Sequence, residues 1–341
     1  MPSGAMAKRL LIASGVAMAV LLVVGFVMGA IGAAIFGLER PFLSEPEIHL
    51  RPQPIFPPAI RDEQLGLTPQ AEHPTQVTDY PAFDAEQAAS ASEQGEKAHV
   101  EPLKVTQFTV TNTLLSAWFS SIVLILFFVL GARKKNLVPG RLQGLVETLV
   151  EGAYTSCSGV LGPEMARKTF PIIATIFFFV LFNAWLALLP FYQFLGFVQD
   201  GEIKAHLLRS AGTDLNMALA LALISFALVE YWGFRAHGPG YLKKFFALGN
   251  LFRLRPTGLI DAFVGFLELT SEFVRVISFT FRLFGNMTAG EILVVMVTFL
   301  VPFVATQFVF GLELLVGLIQ SIIFAGLTLV FLSVAVRHEQ H

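Results

Sequence analysis

The chain has 341 residues, of which 55% are hydrophobic and only 14% charged, with a formal net charge of −2. Soluble domains carry about 25% charged residues, so this composition excludes a water-soluble globular domain. The lone cysteine, Cys157, excludes an internal disulfide, and there is no CxxC or Cys/His cluster and no Gly-rich phosphate loop. No cofactor, metal or nucleic acid is expected, and this much membrane leaves no room for a nucleotide-binding domain. The apolar blocks match the ~20 helical residues that cross a bilayer core, which predicts an all-α integral membrane protein.

Residues 10–38 carry no charge and follow Lys8 and Arg9. A signal peptide has a core of about 7–15 apolar residues, and this run is roughly twice that. The reading is a retained transmembrane helix over 1–38, with cleavage near Gly29 to Ala34 as the alternative. Residues 39–105 differ in kind: Pro41 and Pro102 bracket eight further prolines, and twelve Asp or Glu face Arg40, Arg51, Arg61, Lys97 and Lys104. This predicts an extended acidic segment outside the bilayer, either a spacer or a docking strip for a partner subunit.

The remaining domain, 106–341, opens with an apolar run over 106–131 that stops at Arg133, Lys134 and Lys135. Basic clusters mark cytoplasmic helix ends. Lys8 and Arg9 assign the same side to the N-terminus, which leaves 39–105 outside. Over 137–168 the apolar positions Leu142, Leu145, Val146, Leu149 and Val150 recur at helical spacing among charges, as in an amphipathic helix on the cytoplasmic surface. A span over 170–198 contains Asn183 and Pro190. A polar loop over 199–213 follows, and a span over 214–234 returns to Arg235, His237, Lys243 and Lys244. Two long apolar segments, 257–300 and 302–336, end the chain. As helices at 1.5 Å per residue they measure about 66 and 52 Å, against a hydrocarbon core of about 30 Å. They must tilt, kink at Gly285, Gly290, Pro302, Gly311 or Gly317, or lie partly along the membrane.

The polar residues in these segments are patterned. Asp261, Glu268, Arg275 and Arg282 fall every seven residues on one helical stripe, with Ser271, Glu272 and Ser278 beside it and Asn286 one turn beyond. An Arg or Asp at the centre of a membrane helix costs about 2.5–3.5 kcal/mol, so the stripe faces protein, water or headgroups. Glu291 lies nine residues past Arg282, half a turn out of phase at about 100° per residue, so the two face opposite sides and do not pair locally. Glu313 and Gln320 are again seven apart. The plain readings are an Arg282–carboxylate pin between helices, boundary glutamates, Gln320 as interhelical glue, and glycines that let a second helix approach. The functional reading rests on arginine keeping its proton. A fixed cation in a thin apolar barrier blocks cation leak, and carboxylates on either side of it pass protons.

The stretch FRLFGNMTAGE over 281–291 and ELLVGLIQSIIF over 313–324 resemble the a subunit of the F-type ATP synthase membrane sector. VPGRLQGLVE at 138–147, ALLP at 187–190 and DLNMALALAL at 214–223 agree with it. The likeness covers about 106–337. It implies about five family-type helices with a long tilted C-terminal hairpin, to which 1–38 adds one N-terminal helix. It also implies a non-catalytic stator subunit beside a rotating ring of c subunits. Arg282 would be the essential arginine facing each ring carboxylate, supported by Asn286 and opposed by Gln320. Glu291 and Glu313 would line an aqueous half-channel to the outer side. Glu268, Ser271, Arg275 and Ser278 would lie along the cytoplasmic-side path. The implied partners are the c ring, b-type peripheral-stalk subunits and the rest of the synthase. The translocated ion would be H⁺ rather than Na⁺, and the membrane an energy-coupling one of the bacterial plasma-membrane kind, with both termini cytoplasmic. Some family members carry histidine at the Glu291 or Glu313 position; here both are Glu. The alternatives are a stand-alone ion-coupled secondary transporter, which usually shows repeated halves absent here, and a scaffold whose polar residues only hold helices together.

Overall fold

The computed structural model describes residues 4–36, 52–58, 61, 109–133, 140–199, 202–238, 240–241 and 258–336. Most of the acidic 39–105 segment lies outside the described residues, as do Lys134, Lys135, Lys243 and Lys244.

The apolar runs form helices because a backbone in hydrocarbon must satisfy its own hydrogen bonds. In chain order these are α1 (Gly4–Met28) and α2 (Ala30–Phe36), then α3 (Asn112–Ala132), α4 (Arg141–Leu161) and α5 (Pro163–Ala187). A one-turn helix α6 (Phe191–Phe194) precedes α7 (Leu215–His237), α8 (Gly258–Leu300) and α9 (Val304–Val336). Among the described residues five helices are long and apolar enough to cross a membrane: α3, α5, α7, α8 from Phe263, and α9.

The N-terminal helix differs from the single long span expected over 1–38. Gly29 separates α1, 25 residues long, from α2. The interruption falls where the chain docks. A Cβ on Gly29 would lie 2.8 Å from the Leu300 carbonyl carbon, and one on Gly25 3.2 Å from that of Pro302. Two glycines one turn apart thus lay this helix against the backbone of the α8–α9 turn, the close approach that small residues allow.

The two long segments form a helical hairpin. α8 runs unbroken for 43 residues, about 65 Å of helix, so Gly285 and Gly290 do not interrupt it. The reversal comes at Pro302, and Phe303 adopts a left-handed φ of 71°. The Phe279–Phe324 rings, 5.0 Å apart, and the contact of Gly290 with Glu313 set one antiparallel register. That register places Gln320 level with Arg282.

The core is built from small and aromatic residues. Ile176, Val180 and Ala184 of α5 meet Ala218, Leu221 and Ala222 of α7, Phe279, Leu283 and Met287 of α8, and Phe324 of α9. A second cluster joins Cys157, Ala166 and Ile173 to Leu228, Val229, Ala325, Leu329 and Leu332. Gly317 brings α9 onto α5, where an added Cβ would lie 2.8 Å from the Ala184 Cβ. A buried hydrogen bond of 2.6 Å joins Ser225 to Thr328. The amphipathic helix expected over 137–168 is α4. It packs Val146 against Gly131 of α3 while Leu142 and Leu145 stay exposed.

The loops at one end knit together, and α8 passes beneath them. Strand β1 (Pro54–Phe56) pairs antiparallel with β2 (Val110–Thr111), and the Asn112 side chain accepts from Gln53 N at 3.1 Å. Strands β3 (Gly196–Gln199) and β4 (Glu202–His206) form a hairpin with an irregularity between Phe197 and Val198, and the Arg61 guanidinium lies 4.3 Å from the Phe197 ring centroid. The hairpin leads to a 3₁₀ turn, Ala211–Thr213. Asp214 then caps α7 by accepting from Asn216 N at 2.9 Å, a cap worth about 1 kcal/mol. Its other oxygen accepts from the Thr113 hydroxyl at 2.8 Å.

Candidate functional site

The polar stripe of α8 separates into two groups with Arg282 between them. Arg282 is part-exposed, donates to Ser278 Oγ at 3.3 Å and lies 5.7 Å from the Phe279 ring centroid. Among the described residues it forms no ion pair, so no carboxylate pin accounts for it. Its neighbours Ser278, Phe281 and Gly285 are exposed, and no helix among the described residues covers this face of α8. Asn286 is part-buried one turn further on, and Gln320 is buried on α9.

Toward the start of α8, Arg275 pairs with Glu272, and its guanidinium lies 3.9 Å from the Phe331 ring centroid on α9. Glu272 is only 4% exposed, whereas Ser271 is exposed and Glu268 part-buried. Asp261 lies in α8, but its side chain is outside the described residues. Beside this group the Tyr241 hydroxyl approaches Glu230 Oε1 at 3.5 Å, and the Tyr241 ring packs over Gly233. Burial, then the charges of Glu230 and Glu272, push the Tyr241 phenol well above its ordinary range, while Arg275 opposes them. Glu272 thus supplies the buried carboxylate of this group. The sequence placed it only beside the stripe, and Glu230 and Tyr241 carried no spacing signal.

On the other side of Arg282, Glu291 does turn away from it and meets Arg209 of the loop after β4. Arg209 Nε donates to Glu291 Oε1 at 3.0 Å, and Nη2 donates to Oε2 at 2.9 Å. Sequence reasoning missed Arg209, because a basic residue in a polar loop announces no partner 82 positions away. Glu313 reaches across from α9 and lays its carboxylate on the α8 backbone at Gly290, where a Cβ would lie 2.5 Å from its Cδ. The loop itself is pinned by Ala211 N donating to Asn183 Oδ1 at 3.2 Å. Asn183 is therefore a structural residue.

Arg282 thus has no carboxylate partner among the described residues and lies between two polar groups on a helix far longer than the bilayer is thick, and charged residues inside a membrane as a class mark ion pathways. Comparison with known proteins agrees. The family described as "ATP synthase A chain" matches residues 114–333.

The chain belongs to the ATP synthase A chain family.

Its relatives named "ATP synthase subunit a" include one from Gloeobacter violaceus, 34% identical over 67% of this chain and 86% of the relative. One from a Sulfurihydrogenibium species is 32% identical over 64% and 94%, and one from Cereibacter sphaeroides 31% over 69% and 84%. The chain is thus a multi-pass integral membrane subunit of an ATP synthase complex, in the proton-transport part of ATP synthesis. Residues 1–113 precede the matched region.

Proposed function

We propose that this chain is the stator subunit that couples proton flow to rotation of a c-subunit ring, with Arg282 as its essential fixed charge. The observation that carries the reading is that Arg282 sits part-exposed on an uncovered face of α8 with no carboxylate partner among the described residues, while Arg209 and Arg275 each have one. An arginine does not relay protons. It holds a positive charge at the seam where a ring carboxylate passes, and favours the ionised form of that carboxylate as it arrives. Protons reach the ring through an outer half-channel lined by Glu291 and Glu313. They leave along Ser278, Glu272 and Glu268 on the cytoplasmic side, with Ser271 at the edge of the path and Arg275 lining it as the fixed partner of Glu272. Asn286 and Gln320 support the Arg282 level.

The finer assignments follow from the same reading. The c ring covers the open face of α8, and b-type stalk subunits hold the stator. H⁺ rather than Na⁺ is the coupling ion. Both termini are cytoplasmic in a bacterial plasma membrane, so the pinned loops and the acidic 39–105 segment lie outside. Domain limits are 1–38, 39–105 and 106–341. Moving one charge through 100 mV is worth about 2.3 kcal/mol, so rotation must sum several translocations to drive synthesis in a head that this chain does not contain. The test is ATP-driven acidification of inverted vesicles with Arg282→Ala, alongside co-purification of ring and stalk. An assembled complex that does not acidify supports the reading; normal acidification refutes it.

A further inference from the structure

We propose that Arg209 is a positioning residue of the outer half-channel, holding the Glu291 carboxylate against the 206–214 loop. The inference rests on the half-channel reading of Glu291 and adds a residue to it.

The geometry is that of a fixed clamp. Both oxygens of Glu291 are taken by the guanidinium, at 3.0 Å to Nε and 2.9 Å to Nη2. The Arg209 side chain is 10% exposed and that of Glu291 36%, so a buried cation holds a carboxylate that remains open on one side. Two-pronged arginine–carboxylate bonds carry orientation as well as strength, which a lysine point charge does not reproduce.

The backbone that carries Arg209 is fixed on three sides. Leu207 N donates to Leu195 O at 2.8 Å. Ala211 N is held by Asn183 of α5, and Asp214 by Thr113 of α3. Gly212 sits on the side chain of Met287, where a Cβ would lie 2.8 Å from Cγ. Met287 is one turn before Glu291, so the loop runs along the α8 face that carries both residues. A loop anchored to α3, α5 and α8 thereby sets where one carboxylate of the access path can be. It holds that carboxylate half a turn away from Arg282. Without the clamp Glu291 keeps its chemistry but loses its place.

The whole complex in inverted vesicles tests this with Arg209→Ala, Arg209→Lys, Glu291→Gln and the double variant Arg209→Ala/Glu291→Gln, each checked for co-purification of ring and stalk. The expected result is a several-fold slower initial acidification with Arg209→Ala and with Glu291→Gln. The double variant is no slower than the worse single one, because both changes remove the same positioned carboxylate. Arg209→Lys recovers part of the rate. Arg209→Ala at the wild-type rate, with Glu291→Gln slowed, overturns the role of Arg209 alone. Glu291→Gln at the wild-type rate overturns the half-channel reading of Glu291 and this inference with it. Losses that multiply in the double variant overturn action through Glu291. If Arg209→Ala does not assemble, Arg209→Gln decides: assembled and slowed supports the inference, while assembled and unslowed, or unassembled, overturns it.

Discussion

Gly290→Ala separates the position of the Glu313 carboxylate from the stability of the helices. The added Cβ would lie 2.5 Å from Glu313 Cδ and 2.6 Å from Oε1. Carbon atoms in contact prefer about 3.5–4.0 Å, so the carboxylate must retreat by about 1 Å. It is the far end of a flexible side chain, so the helices need not part. Alanine is also about 1 kcal/mol better than glycine within a helix, which acts in favour of the variant. The expected outcome is therefore a complex that assembles normally but pumps poorly. A 1 Å misplacement of a reacting group can cost about 10²-fold in rate, which sets the upper range of the loss. The assay is initial acidification of inverted vesicles, normalised to co-purified complex. Pumping at the wild-type rate would refute the reasoning, because the carboxylate would then have no required place on α8. Loss of the complex would refute it in a different way, by showing that Gly290 is a packing residue.

Other contacts give sharper expectations of stability. Gly317→Ala meets the Ala184 Cβ, which cannot swing aside; α9 must shift from α5 at about 1–3 kcal/mol, read as a lower temperature of aggregation of the purified complex. Thr328→Val removes the buried Ser225–Thr328 hydrogen bond; such bonds average about 0.6 kcal/mol in membranes, so the same assay shows a smaller fall than for Gly317→Ala. Gly25→Leu with Gly29→Leu detaches the N-terminal helix from the α8–α9 turn, read as faster amide hydrogen exchange over residues 300–303. Cys157 is buried in α4, and burial raises its thiol above the ordinary range. The thiolate is the reactive form, so maleimide labelling followed by mass is slow at neutral pH and speeds up only above the usual thiol range.

The helices were legible because their apolar runs have no other stable form in a bilayer. The half-turn offset of Glu291 from Arg282 was legible too, since it needs only helical geometry. The unbroken course of α8 was not: Gly285 and Gly290 look like hinges, but one lies on an open face and the other makes room for Glu313. Local spacing also says nothing about partners far apart in the chain. Arg209 finds Glu291, Gln53 finds Asn112, and the Glu230–Tyr241 pair comes to lie beside Glu272 only once the helices have packed. The break at Gly29 was not legible either, because absence of charge over 10–38 does not reveal that Gly25 and Gly29 are shaped for the α8–α9 turn.

The most direct measurement is the ratio of protons pumped to ATP hydrolysed by the assembled complex carrying Arg282→Ala, beside wild type in the same vesicles. Hydrolysis without acidification is expected, because the seam has lost the charge that makes each ring carboxylate release its proton on the correct side. A wild-type ratio in the variant would contradict it.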